Sequence, residues 1–186
     1  MTKKSIITKK GDDGTTGLLD SSRAVKYDLR PETYGTLDEA SAFLGLVRSK
    51  TTLPAIRDIV YTLQNHIYLI NAELACPTDR LHLLQATLNQ SHMDHLEEFS
   101  HRIEEESQLP SKFVLYGQSE VSALLDISRA VVRRAERRLV ELHKREPLKN
   151  SYILPYINRL SDALFLLARY EEHVHQIPYA HPDNSV

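Results

Sequence analysis

The sequence has little cysteine, little glycine, no tryptophan and no long apolar run. Its single cysteine, Cys76, excludes an intramolecular disulfide framework and a cysteine-rich zinc module, and indicates a reducing compartment. No run approaches the roughly 20 apolar residues of a membrane span, and residues 1–10 lack the apolar core of a secretory signal. Lysine and arginine number 23 against 25 acidic residues, so no basic excess favours nucleic acid. We therefore expect a cytoplasmic protein that binds neither membranes nor nucleic acid.

Glycine and proline divide the chain into helical segments. Residues 46–116 and 118–186 contain no glycine, as helix interiors prefer, and most of the 8 prolines mark segment boundaries. Apolar residues recur at i, i+3/i+4 over segments near 31–50, 54–75, 118–145 and 150–174, and the segment 91–107 is more polar. The pattern predicts an all-α fold, a bundle of about five helices in one domain. Its parts are an N-terminal loop (1–30), the helical bundle (31–177) and a flexible C-terminal tail (178–186).

The N-terminal loop is rich in glycine, threonine and lysine. It reads Thr8-Lys-Lys-Gly-Asp-Asp-Gly-Thr-Thr-Gly17, which lacks the spacing of a P-loop. Glycines let the backbone approach an anion, and threonine hydroxyls and lysines add donors. Two interpretations stay open: a phosphate-binding loop, or a flexible tail with turn-forming residues.

Five arginines crowd the fourth predicted helix, at positions 129, 133, 134, 137 and 138. At about 100° per residue, Arg129, Arg133, Glu136 and Arg137 share one stripe that flanks the apolar face, whereas Arg134 and Arg138 are expected to point further toward solvent. The stripe is either a solvated face with i, i+4 ion pairs or a row of guanidinium groups for a polyphosphate, with Glu136 holding one of them.

Polar residues on other helices add weaker signals. Asn158 and Asp162 are i, i+4 neighbours beside an apolar stripe, which indicates a site or a subunit interface. Asp38 is either a surface carboxylate or the partner of an arginine on another helix. The run His92-Met-Asp-His95 has spacing that can hold a metal, but we interpret it as an exposed polar helix face.

Four separated strings occur together in one known family. They are Thr8-Lys-Lys-Gly-Asp-Asp-Gly-Thr-Thr16, Tyr34-Gly-Thr-Leu-Asp-Glu39, the arginines between Arg129 and Arg138, and Ile157-Asn-Arg-Leu-Ser-Asp162. Over roughly residues 5–175 the chain resembles the PduO-type ATP:cob(I)alamin adenosyltransferases. Each string alone is modest, whereas four at matching intervals are specific.

The resemblance implies a five-helix bundle assembled as a homotrimer, with active sites between subunits. It implies transfer of the 5′-deoxyadenosyl group of ATP to cob(I)alamin, forming adenosylcobalamin and inorganic triphosphate, with Mg²⁺ accompanying the nucleotide. A cob(II)alamin reductase and a cobalamin-dependent acceptor enzyme are the expected partners. The implied nucleotide contacts are Thr8, Lys9, Lys10, Gly11, Thr16, Gly17, Lys26, Arg133, Arg134, Glu136, Arg137 and Asn158, with Glu136 also toward the metal.

Three residues have implied roles in the reaction besides Arg133. Asp38 and Arg129 match a pair expected to form a salt bridge across the subunit interface. Phe113 matches an aromatic expected below the corrin, where it helps to expel the lower axial ligand.

The corrinoid side departs most from the family pattern. Pro-Gly-Gly often follows the aromatic, but this chain has Tyr116-Gly-Gln118, and a common Leu-His pair is Leu125-Asp126. The frequent Gly-Asp-Lys-Gly is Gly11-Asp-Asp-Gly14, which has one cation fewer near the phosphates. Three functions are therefore weighed: an active adenosyltransferase, a nucleotide- or corrinoid-binding carrier or sensor of the same fold, and a helical interaction protein with a solvated arginine-rich face.

Overall fold

The structure is a computed structural model that describes residues 6–107 and 109–183. Five α-helices form most of it and confirm the predicted helical segments. They are α1 (Leu29–Lys50), α2 (Pro54–Leu74), α3 (Gln90–Glu106), α4 (Glu120–Arg145) and α5 (Ile153–Val174), with a short 3-10 turn at Leu81–Leu83. Two three-residue strands, β1 (Thr15–Gly17) and β2 (Arg23–Val25), precede them.

The helices begin where the sequence supplies local caps. Pro54 is the first residue of α2, where the missing N–H costs nothing. The Asn89 side chain accepts from Ser91 N (3.0 Å) at the start of α3, and the Ser119 hydroxyl accepts from Ser122 N (3.0 Å) at the start of α4. These caps satisfy donors that have no partner inside the helix.

Helices α1 and α4 run antiparallel through the centre of the bundle. Arg30 pairs with Glu146 at one end, and Lys50 with Glu120 (3.0 Å) at the other. Helix α5 packs on α4, α2 packs on α1, and α3 packs on α5. Their apolar stripes meet in one core, in which leucines and isoleucines such as Leu44, Ile67 and Leu164 are fully buried.

A buried arginine fastens one end of the bundle. Arg30 donates to Leu74 O (2.9 Å), Cys76 O (3.3 Å) and the Thr78 hydroxyl (2.9 Å), and it pairs with Glu146 after α4. The hydrogen bond from Arg30 lowers the pKa of Glu146 below its usual range. Cys76 lies under this clamp with no exposed surface, and burial raises the pKa of its thiol.

A second polar cluster lies between α2, α3 and α5. His66 Nδ1 is 2.7 Å from the Tyr156 hydroxyl, and the rings of His92 and His95 meet His66 edge to face. Burial and the two neighbouring imidazoles lower the pKa of His66 to about 4. Within the described ranges, no group of three or more His, Cys, Asp or Glu side chains is arranged to hold a metal.

The N-terminal loop is more regular than the sequence indicates. Strands β1 and β2 pair antiparallel, with Thr16 opposite Ala24, and Leu19 N donates to Ala75 O (3.0 Å) after α2. This short hairpin is an addition to the predicted all-α fold, within the segment predicted as a loop. Each strand has only three residues, which is too few for an alternating apolar pattern to be recognised in the sequence. Hydrogen bonds between the two strands hold the hairpin together.

The described part of the C-terminal segment contacts the loop before α4. Ala180 O accepts from Leu115 N (2.8 Å), and His181 Nδ1 lies 2.8 Å from Phe113 O. The flexibility of this tail stays a prediction, and residues 184–186 lie outside the described residues. None of the described helices has both the length and the apolar character needed to cross a membrane.

Candidate active site

Two arginines on α4 present exposed guanidinium groups. Arg133 and Arg137 are exposed, and Arg137 Nη1 donates to the backbone oxygen of Arg133 (2.9 Å). Beside them Glu136 Oε1 accepts from Asn158 Nδ2 (2.9 Å), which joins α4 to α5. Because the guanidinium of Arg133 has no side-chain partner among the described residues, it is available to an anion.

The other two arginines of the run face α1 rather than solvent. Arg134 pairs with Glu39, and Arg138 pairs with Glu32 (2.9 Å) and bonds to Thr36. The expectation that Arg134 and Arg138 point further toward solvent is therefore wrong. The helical wheel shows which residues share a face but not that α1 packs against that face and brings carboxylates to it.

A cavity of about 470 Å³ opens between α3, α4 and α5. Arg129 and Arg133 line it from α4, and Ser161, Asp162 and Phe165 line it from α5. Leucines and polar side chains of α3 and the segment after it complete the wall: Leu96, Glu97, Ser100, His101, Glu104 and Leu109. Arg159 and Leu166 of α5 line it as well, and Arg159 pairs with Glu97 (2.6 Å). The cavity thus combines apolar walls with three guanidinium groups, one of them already paired.

Behind the cavity lies a buried group of four charges. Asp126 accepts from Arg129 Nε (3.0 Å) and from Arg169 Nη2 (2.8 Å). Arg169 has no exposed surface, and its Nη2 also donates to Glu172 Oε1 (3.0 Å). Burial raises the pKa of Glu172. Two carboxylates thus face two guanidinium groups, which is the balance that burial of charge requires.

The loop 110–117 places an exposed aromatic beside the cavity. Phe113 is 90% exposed and lines a second cavity of about 380 Å³ together with Tyr116 and Phe165. The ring of Tyr116 stacks 4.6 Å from the guanidinium carbon of Arg129 and 5.9 Å from that of Arg169. Phe165 lines both cavities, so they adjoin at its ring.

The glycine-rich loop is organised by two basic side chains. Lys26 Nζ donates to Gly11 O (2.7 Å), and Arg23 Nε donates to the Thr15 hydroxyl (2.7 Å). A side chain on Gly11 would meet Thr15 O at 3.1 Å and Lys26 Nζ at 3.2 Å, so it would require these neighbours to shift by a few tenths of an ångström. Lys9 and Lys10 are exposed, and both lie in the same turn.

The structure therefore brings together only some of the predicted site residues. Arg129, Arg133, Glu136, Arg137 and Asn158 lie on the α4–α5 side. Thr8, Lys9, Lys10, Gly11, Thr16, Gly17 and Lys26 lie in the loop and hairpin, which docks at the end of α2. Asp38 is exposed and lines a cavity of about 750 Å³ with α1 and α2 residues, among them Tyr34, Tyr68 and Asn71. Within one protomer it does not contact Arg129.

Sequence reasoning did not predict the contacts of three residues in this region. Arg23 shapes the glycine-rich loop, Arg169 lies within the buried charge group, and Tyr116 covers Arg129. Arg169 directly follows the apolar residues Leu166, Leu167 and Ala168. A single arginine in such a position indicates a buried ion pair, but not which carboxylate forms it. The partners of Arg23 and Tyr116 depend on chain folding and leave no local pattern.

The helical bundle thus combines an arginine-lined cavity, an exposed aromatic loop and a glycine-rich loop, a combination that suits an anionic ligand beside an apolar one. The sequence profile of the cobalamin adenosyltransferase family matches residues 6–171. This chain therefore belongs to the cobalamin adenosyltransferase family, as its sequence motifs indicate.

Relatives with known names and solved structures support the same family assignment. The corrinoid adenosyltransferase of Citrobacter freundii is 36% identical over 167 residues, covering 90% of this chain and 94% of that protein. The corrinoid adenosyltransferase of Bacillus subtilis (strain 168) is 37% identical over 168 residues, covering 88% and 84%. Among solved structures, a phenylalanine-to-alanine variant of a PduO-type ATP:corrinoid adenosyltransferase from Lactobacillus reuteri, complexed with cobalamin and ATP, has a TM-score of 0.90. It is 28% identical and covers 97% of this chain and 100% of that chain.

Proposed function

We propose that this protein transfers the 5′-deoxyadenosyl group of ATP to the cobalt of cob(I)alamin, which yields adenosylcobalamin and inorganic triphosphate. The observation that carries this proposal is the exposed guanidinium of Arg133, which lines a cavity with apolar walls and has no side-chain partner among the described residues, with exposed Arg137 one helical turn away. Family membership and the solved neighbour complexed with cobalamin and ATP support it.

The reaction needs few catalytic side chains. The electron pair of Co(I) forms the new cobalt–carbon bond, the bond between the 5′ carbon and its oxygen breaks, and that oxygen leaves with the triphosphate. Because cobalt is the nucleophile, no activated serine or cysteine is needed, and buried Cys76 fits this view. The leaving group gathers negative charge, so cations and N–H donors stabilise the transition state. Arg133, Arg137 and the lysines of the N-terminal loop have the required charge.

We assign the nucleotide site to two protomers. One would contribute the loop residues Thr8, Lys9, Lys10, Gly11, Thr16, Gly17 and Lys26. The next would contribute Arg133, Glu136, Arg137 and Asn158. The separation of the two groups within one protomer favours this arrangement, and so does the absence of a contact between Asp38 and Arg129 within the described chain. A homotrimer would bring the two groups of residues together at the interface between protomers. It would also place Asp38 beside the Arg129 of a neighbouring protomer. Arg134, paired with Glu39, has less support as a nucleotide contact.

Mg²⁺ fits this site with one protein carboxylate. Glu136 projects from α4, and its Oε1 is held by Asn158, so its other oxygen is open to a cation. Mg²⁺ is commonly bound through one or two carboxylates, with phosphates and waters completing its shell. When bound it would neutralise phosphate charge, and Glu136 would supply a carboxylate ligand to it.

The corrinoid would occupy the apolar side, where Phe113 and Phe165 line the adjoining cavities. An exposed phenylalanine with no apolar cover in the protomer suits a large planar ligand. Its proposed task is to exclude the lower axial ligand of cobalt, which makes Co(II) easier to reduce. A cob(II)alamin reductase and a cobalamin-dependent acceptor enzyme are the proposed partners, in the cytoplasm.

The test mixes purified protein with ATP and chemically reduced cobalamin in the dark. We expect the spectrum of a light-sensitive alkylcobalamin to grow with time, and inorganic triphosphate to appear in equal amount. Growth that requires ATP and slows markedly on mutation of Arg133 supports the proposal. ATP binding without alkylation would instead identify a carrier or sensor, which the departures at Tyr116, Gln118 and Asp126 favour. Binding of neither ligand would leave a helical interaction protein.

A further inference from the structure

The loop 110–117 is attached to the bundle from two sides. On one side, the C-terminal segment accepts a backbone hydrogen bond from Leu115 and contacts Phe113 O through His181. On the other, the Tyr116 ring lies over the guanidinium of Arg129 and near that of Arg169. Gly117 follows with φ of +96°, a conformation that glycine adopts readily, so the chain turns directly into α4.

The two arginines under Tyr116 are themselves fixed. Asp126 is 4% exposed and bonds to both, through Arg129 Nε (3.0 Å) and Arg169 Nη2 (2.8 Å). Glu172 accepts from the same Arg169 nitrogen, Nη2 (3.0 Å). Asp126 accepts a hydrogen bond from Arg129 Nε, and the two terminal nitrogens of Arg129 make no hydrogen bond to the described residues. They can serve another carboxylate while the ring still covers the guanidinium face.

We propose that Tyr116 is a positioning residue, which holds the Phe113 loop against the Arg129–Asp126–Arg169 group and so keeps Phe113 at the mouth of the corrinoid cavity. This inference rests on the proposed function. A guanidinium already oriented by a buried carboxylate offers a fixed platform, and cation–π stacking on it orders the ring. Tyr116 and Asp126 act together, because without Asp126 the Arg129 guanidinium under the ring would be free to rotate.

The test compares Tyr116→Leu, which removes the ring, with Tyr116→Phe, which keeps it. Tyr61→Leu is the matched control, since Tyr61 also stacks on an arginine, 4.9 Å from the Arg48 guanidinium carbon, and lies on α2 outside the loop. For Tyr116→Leu we expect the KM for the corrinoid to rise by about threefold to tenfold, the range that one such contact supports. The KM for ATP should stay within twofold, and Tyr116→Phe and Tyr61→Leu should match the unmodified protein.

A second readout does not depend on turnover. Lys112 is exposed within the loop, so trypsin cleavage after Lys112 reports how firmly the loop is held. We expect Tyr116→Leu to be cleaved there several times faster, with an unchanged thermal midpoint, and Tyr116→Phe to be cleaved at the original rate.

The outcomes separate the two proposals. If the unmodified protein fails to alkylate cobalamin, the proposed function fails, and the cleavage rates still decide whether Tyr116 holds the loop. If the protein is active but Tyr116→Leu shows normal corrinoid KM and normal cleavage, the positioning role is wrong. Equal increases in both KM values, or a Tyr116→Phe variant as impaired as Tyr116→Leu, would also overturn it.

Discussion

The proposed nucleotide site makes a quantitative prediction for Arg133→Ala. The guanidinium is exposed and has no side-chain partner among the described residues, so its removal leaves no buried charge unpaired. We expect the free energy of unfolding to change by less than about 0.5 kcal/mol, as for other surface positions. A charge-assisted hydrogen bond to phosphate is worth about 1.5–3 kcal/mol. At about 1.4 kcal/mol per factor of ten, kcat/KM for ATP should fall about 10- to 150-fold.

The assay varies ATP at saturating, chemically reduced cobalamin, and a thermal melt accompanies each variant. Arg145→Ala is the matched control, because Arg145 is also an exposed arginine of α4 and, among the described residues, pairs only with Glu141 on its own helix. Arg133→Lys keeps the charge but loses the planar fork, so an intermediate loss is expected. A kcat/KM within twofold of the unmodified protein, or an equal loss in Arg145→Ala, would refute the role assigned to Arg133.

Three further predictions address other parts of the molecule. Phe113→Ala should slow alkylation that starts from Co(II) more than alkylation that starts from preformed Co(I); equal effects in stopped-flow spectra would remove the ligand-displacement role. Arg169→Leu should lower the free energy of unfolding by about 3–5 kcal/mol in urea melts, because it leaves buried Glu172 without its guanidinium partner and removes one of the two partners of Asp126; a loss below about 1 kcal/mol would contradict that. The folded state lowers the pKa of His66 to about 4, so stability should fall as pH drops below 6.5. The loss is about 2 kcal/mol between pH 7 and pH 5, and it should vanish in His66→Gln but persist in His82→Gln.

The helices could be predicted from the sequence because their causes are local. Apolar residues at helical spacing, Pro54 at the start of α2 and Ser119 before α4 all act within a few positions of where they stand. The family motifs likewise identify the arginine face and the N-terminal loop, because both lie in short continuous strings.

The contacts between distant segments could not be predicted in the same way. Arg138 pairs with Glu32, 106 positions earlier, and Arg169 with Asp126, 43 positions earlier. Nothing near either arginine indicates its partner, since only the packing of α1 and α5 on α4 brings the carboxylates there. Asp38 illustrates the remaining gap, because it does not contact its expected partner, Arg129, among the described residues.

The shielded position of Cys76 has a practical consequence. Its thiol has no exposed surface and burial raises its pKa, so little thiolate forms at neutral pH and alkylating dyes cannot reach it. A second cysteine introduced on the surface can therefore be labelled selectively in the native protein. Ser111→Cys, at an exposed position two residues before Phe113, would carry one fluorophore at the rim of the corrinoid cavity and report, by a change in emission, when that ligand arrives.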